Sequence, residues 1–198
     1  WRSTSWQGYG ERARHTGLGL VSLGLKRGDV VSILAETVPE WLFADMGTMG
    51  AGGVSNGIYP TDSAKQVEYI LTDSASRFLF VENEEQLDKF LEVRERCPSV
   101  VKAFIFDMEG LADFQDPQIM SFDRLLELGA AYDKANPDAW EALVAASKSA
   151  RAVKPGTSTN FWAPHVVLIT LWSPCSSLSS REQRSSRSTN MRELNSCS

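Results

Sequence analysis

The feature that most constrains this chain is an alternation. Four short apolar runs take turns with longer segments whose apolar residues recur at helical spacing. The runs are "VVSILAE" (30–36), "VSNGIYP" (54–60), "RFLFVE" (77–82) and "VKAFIFD" (101–107). Each is short, rich in β-branched or aromatic residues and bounded by turn residues, which reads as a buried strand. Strand and helix in regular alternation predict an α/β fold with a mainly parallel sheet flanked by helices on both faces. In such sheets ligands sit beyond the carboxyl ends of the strands.

The intervening segments carry their own helix signals. In "YGERARHTGLGLVSLGLKRGD", Ala13, Gly17, Leu20, Val21 and Gly24 share one face, and its glycines allow close packing. Gly28-Asp29 then turns the chain. Pro39 and Glu40 suit the first turn of the next helix. Leu42, Met46 and Met49 lie at helical spacing there, and Ala44, Gly47 and Ala51 form a small-residue face that suits packing against a sheet. Ser63 and Gln66 have capping-box spacing, followed by the stripe Val67, Ile70 and Leu71. Leu87, Phe90 and Leu91 share a face in a helix that Pro98 stops. A further helical region starts near Ser121 with Phe122, Leu125 and Leu126, and "PDAWEALVAAS" reads as a short last helix.

Composition breaks near residue 148. Residues 1–148 carry a net charge of −9, whereas residues 149–198 carry +4 and no aspartate. Ten of the last 26 residues are serine, so the jump marks a boundary between a folded part, 1–148, and an atypical tail, 149–198. Such a tail reads either as a disordered segment or as the product of a shifted reading frame. The overall charge of −5 gives no basic field for nucleic acid. The longest apolar run, 161–172, is interrupted by Pro164 and His165 and falls short of the ~20 residues of a membrane span. The N-terminus lacks the apolar core of a signal peptide. Cys97, Cys175 and Cys197 have neither metal-ligand nor disulfide spacing, so a cytoplasmic chain is expected.

Catalytic constellations are scarce. His15 has no neighbouring Cys or Ser to act on and reads as a surface histidine. "GYGERA" fits a loose dinucleotide pattern, but no strand feeds it. The pairs Glu84/Glu85 and Asp107/Glu109 read as solvated carboxylates, and Trp41 and Trp140 as packing residues.

The stretch "ILAETVPEWLFADMGTMGAGGVSNGIYPTDSAKQVEYILTDSASRFLFVENEEQLDKF" resembles the N-terminal part of AMP-forming acyl-CoA synthetases. "VPEW", "GAGGVSNGIYPT", "QVEYILTDS" and "FLFVENEEQLDK" carry the likeness in order, and "VKAFIFDMEGL" with "MSFDRLLELG" resembles the long-chain fatty acid branch. The likeness covers residues 6–148, about the first quarter of a full-length enzyme. It implies the N-terminal subdomain of an adenylate-forming enzyme. Family members use ATP and Mg²⁺ to turn a carboxylate into an acyl-adenylate, and coenzyme A then displaces AMP.

The resemblance also implies a phosphate loop of the form T-S-G-T-T-G-x-P-K-G soon after "WEALVAAS". Its glycines let backbone N–H groups reach phosphate, and its lysine adds positive charge. Laid ungapped on "TSTNFWAPHVVLIT" (157–170), only Thr157, Ser158 and Pro164 match. The glycine positions hold Thr159, Trp162 and Val166, and His165 replaces the lysine. Bulky side chains there block close phosphate approach. The expectation is therefore an N-terminal fragment of a long-chain fatty acid–CoA ligase, inactive as given because the phosphate loop and downstream motifs are missing. ATP, Mg²⁺ and coenzyme A are expected to bind it poorly, and self-association through exposed apolar surface is expected. Intact relatives leave open a membrane-peripheral location. Two alternatives stand beside this reading: a non-catalytic interaction domain on the same fold, and another carboxylate-activating branch.

Overall fold

A computed structural model describes residues 3–111 and 114–149. In chain order it contains α1 (Trp6–Ser22), β1 (Val30–Leu34), α2 (Pro39–Gly50), β2 (Val54–Ile58), α3 (Ala64–Asp73), β3 (Phe78–Val81) and α4 (Glu84–Val93). A 3₁₀ turn (Arg94–Arg96), β4 (Lys102–Ile105), β5 (Ile119–Ser121), α5 (Phe122–Ala135) and α6 (Ala139–Ser149) follow. The five strands form one sheet in the order β2-β1-β3-β4-β5, and every pairing is parallel. The mainly parallel α/β architecture expected from the alternation is what the chain forms.

Period-two alternation divides the strand residues between two cores. Val31, Ile33, Phe78, Phe80 and Phe104 face α1, α2 and α5, and meet Leu20, Phe43, Ala44, Phe122 and Leu125 there. Leu34, Leu79, Val81, Ala103 and Ile105 face the other way, onto Val67 and Leu71 of α3 and Leu87, Phe90 and Val93 of α4. Ser32 is fully buried on this second side, where its Oγ lies 2.6 Å from Ser76 Oγ and accepts from Asn56 Nδ2 at 3.1 Å.

The local signals act as their chemistry requires. Pro39 opens α2 with Glu40 in its first turn, and Gln66 Oε1 accepts the Ser63 N–H at 2.9 Å to close the α3 capping box. Asn83 caps α4 and Ser121 caps α5.

The small-residue face of α2 goes inward as expected: Ala44, Gly47 and Ala51 are buried with Phe43 and Thr48, while Leu42 is 43% exposed and Met46 and Met49 are half-buried. Two readings are corrected. Gly24 lies beyond the end of α1, at φ +93°, and the packing glycines of that helix are Gly17 and Gly19. β5 was not foreseen, because its three residues precede α5 without a turn of their own.

Glycine determines how the helices meet. A Cβ at Gly17 would lie 2.5 Å from the Gly47 carbonyl oxygen, and one at Gly47 would lie 2.7 Å from the Ala13 carbonyl oxygen. A Cβ at Gly129 would be driven into the His15 carbonyl. α1 is thus wedged between α2 and α5 at backbone-to-backbone distance.

Candidate functional site

Strand order reverses direction between β1 and β3, since β2 lies to one side of β1 and β3 to the other. That is the topological switch point, where the loops leaving adjacent strands diverge and open a crevice. A cleft of about 440 Å³ lies there. Glu36 enters it just after β1, Pro60 and Thr61 after β2, and Glu82 and Asn83 after β3. Glu85, Gln86 and Lys89 from the first turns of α4 complete the lining.

The cleft is tied together across its mouth. The Glu36 backbone N–H donates to Glu82 Oε2 at 2.6 Å, joining the exits of β1 and β3. Lys89 Nζ donates to the Pro60 carbonyl at 2.5 Å and to Gln86 Oε1 at 3.0 Å, and lies 3.7 Å from Glu85 Oε1. Its charge is therefore engaged by the cleft's own walls. Three carboxylates and one ammonium group line the cleft. Glu84 and Glu85 also offset the positive N-terminal end of α4. The lining side chains therefore carry a net negative formal charge. Among the described residues no group of three or more His, Cys, Asp or Glu side chains is placed to hold a metal ion.

The sequence-derived candidates fall elsewhere. Thr157, Ser158 and Pro164 lie outside the described residues. His15 sits at the junction of α1 and α5, its Nε2 3.7 Å from Asp133 Oδ2. Beside it, Arg14 makes a two-pronged contact with Asp133, both bonds at 2.7 Å. That bond, more than their mutual charge, holds the Asp133 carboxyl below the ordinary carboxylate range, against a smaller opposing effect of burial. This is a helix-to-helix clamp. "GYGERA" lies inside α1. Glu84, Glu85, Asp107 and Glu109 are exposed, in line with solvated carboxylates. Trp41 packs against the phenylalanine core, and Trp140 fills a notch at Gly17 and Gly50. Glu36, Glu82, Gln86 and Lys89 were missed. The available signal was position, since they immediately follow strands or open the next helix.

No described helix is long and apolar enough to cross a membrane. Residues 1–146 match the family model described as AMP-binding enzyme. A Xenopus laevis protein named long-chain-fatty-acid–CoA ligase ACSBG2 is 34% identical over 129 residues, covering 65% of this chain and 17% of that protein. The Drosophila melanogaster long-chain-fatty-acid–CoA ligase heimdall is also 34% identical, over 64% of this chain and 19% of that protein. The chain therefore spans less than a fifth of either curated relative, a smaller share than the quarter implied by resemblance. The anthranilate CoA ligase AuaEII, solved with anthranoyl-AMP, superposes with a TM-score of 0.58 over 64% of this chain and 23% of its own. At 23% identity that likeness is one of fold.

Proposed function

The chain belongs to the AMP-binding enzyme family, and from that premise we propose that it is the N-terminal part of a long-chain fatty acid–CoA ligase that does not adenylate fatty acid as given. The names of the curated relatives support the long-chain branch. The observation that carries the proposed inactivity is the sequence at 157–166, where Thr159, Trp162 and Val166 hold the glycine positions and His165 the lysine position. Nucleotide handling in this reading falls to a phosphate loop. Of that loop this sequence keeps Thr157, Ser158 and Pro164 but not the glycines or the lysine. Developing negative charge at the α-phosphate then lacks backbone donors and a fixed cation. Residues 1–148 serve as scaffold, and ATP, Mg²⁺ and coenzyme A bind weakly.

The test is pyrophosphate release by the pure chain with palmitate, ATP, Mg²⁺ and coenzyme A. Release at the level of the protein-free blank is expected, and release above it overturns the reading. Calorimetric titration with ATP is expected to give no saturable heat; saturation would show a working nucleotide site. Self-association is part of the same proposal. β2 forms one margin of the sheet, and Val54 on it and Leu42 on α2 are 42% and 43% exposed. A strand edge unpaired among the described residues, beside apolar side chains, favours pairing with a second copy. Sedimentation is expected to show species above monomer mass, and a monomer at all concentrations would remove this part.

A further inference from the structure

α6 differs in kind from the other five helices. Neither hydrophobic core contains any of its residues, and none of its described side chains is buried. It packs mainly on α2 and α1 and not on the sheet. Among the described residues its attachments are few and specific. The Trp140 ring occupies a notch that a Cβ at Gly17 or Gly50 would fill. Arg14 Nη1 reaches Glu141 Oε1 at 2.5 Å, and Arg14 Nη2 reaches the Pro137 carbonyl at 3.0 Å. Arg27 Nη1 donates to the Ala146 carbonyl at 3.0 Å near the other end. An exposed connection, Asn136 to Asp138, joins α6 to α5. We infer that α6 is a latch on the α1–α2 crossing, which opens and recloses as a unit while the sheet stays folded.

The physical ground is the distribution of buried contact. Segments open locally when they contribute little to a shared core, and the cost of opening is then the cost of their own few attachments. α1 cannot behave this way, because it is wedged between α2 and α5 and buries Leu18 and Leu20 completely. Opening of α6 leaves those contacts intact. It exposes the Trp140 indole, empties the glycine notch and frees one arm of Arg14, while the other arm keeps Asp133. A single aromatic residue seated against glycine backbone therefore decides whether the latch is closed.

Hydrogen exchange on the whole chain, read by mass spectrometry, tests this. Amides of residues 139–149 are expected to exchange at least ~10-fold faster than those of β3, as a separately opening unit does. Trp140→Ala is expected to accelerate α6 further and leave β3 unchanged. Glu141→Gln, at a side chain 62% exposed, removes only the charge arm and is expected to give a smaller acceleration, again confined to α6. Equal protection of α6 and β3 would overturn the inference, as would acceleration of both together in either variant. Unfolding of Trp140→Ala would also count against it, since a latch residue is not needed for the sheet to fold.

Discussion

On one face of the sheet, α3 and α4 contain no glycine and lay aliphatic stripes on Leu34, Leu79, Val81 and Ile105. On the other, phenylalanines of β3, β4 and the β4 exit cluster with Phe122, and the helices above them touch through Gly17, Gly47 and Gly129. The aliphatic face is held by side-chain volume, which can relax around a change. The glycine face is held by backbone against backbone, which cannot. The largest test of that difference sets one added carbon against a lost ring. Gly129→Ala is expected to cost more than about 3 kcal/mol, because the new Cβ must push α5 off the His15 carbonyl. Phe90→Ala on the aliphatic face is expected to cost about 3–5 kcal/mol through its cavity. Urea midpoints read both. If Gly129→Ala costs less than about 1 kcal/mol, α1 and α5 can separate freely and the two faces are alike.

The same contrast explains what could be read from the sequence. α3 and α4 were legible, since each meets the sheet along one stripe: of the expected residues Val67, Leu71, Leu87 and Phe90 are buried, and Ile70 and Leu91 are half-buried at its margin. α2 was legible through its small residues: Ala44, Gly47 and Ala51 go in beside Phe43, and Leu42, Met46 and Met49 are left facing partly outward. Gly24 was misplaced because the apolar pattern of α1 runs on past the helix end. The cleft was invisible for another reason. Its residues come from three strand exits, and only the strand order β2-β1-β3 brings them together. The phosphate-loop candidates stand on resemblance alone, with no structural neighbourhood to test them.

The aliphatic face has one polar thread, and it offers the next effect in size. Ser32 Oγ accepts from Asn56 and pairs with Ser76, whose Oγ lies 2.7 Å from Ser74 Oγ. Ser32→Ala leaves the Asn56 amide without this acceptor and the Ser76 hydroxyl with Ser74 alone, and about 1–3 kcal/mol of destabilisation is expected. Ser32→Ala together with Ser76→Ala should cost less than the sum of the two single changes, because the pair then has no unsatisfied partner left in it. Additivity in urea unfolding would mean that the thread acts as separate bonds.

Each face also carries an arginine–aspartate clamp, and the two differ in what sets the carboxyl. Asp133 is depressed first by its bond from Arg14. Asp116 is depressed first by the Gln118 backbone N–H, at 2.8 Å, and only then by Arg94. For both, the folded value lies below the unfolded one. The stabilisation is therefore complete above the ordinary carboxylate value of about 3.9 and is lost as pH falls through the folded value. Arg14→Gln is expected to return Asp133 most of the way to its ordinary value. Arg94→Gln is expected to leave Asp116 clearly depressed. Carboxyl carbon titrations by NMR check this, and equal recovery in the two variants would break the distinction.

The smallest effect sits where one helix from each face ends. α1 is followed by Gly24 at φ +93°, and the end of α3 by Ala75 at φ 50°. Both are left-handed positions, filled by glycine on the glycine face and by alanine on the other. A Cβ at Gly24 would meet Arg77 Nη2 at an ordinary 3.6 Å, so Gly24→Ala adds backbone strain without a clash. About 1 kcal/mol of destabilisation is expected. Ala75→Gly removes such strain but loosens the unfolded chain by about 0.4–1 kcal/mol, so the two nearly cancel and a gain of a few tenths is expected. The turn itself should persist, because the Ser76 N–H still reaches the Leu71 carbonyl at 3.0 Å. A loss above about 1 kcal/mol for Ala75→Gly would mean that the alanine methyl contributes packing, and that the aliphatic face extends to its helix end.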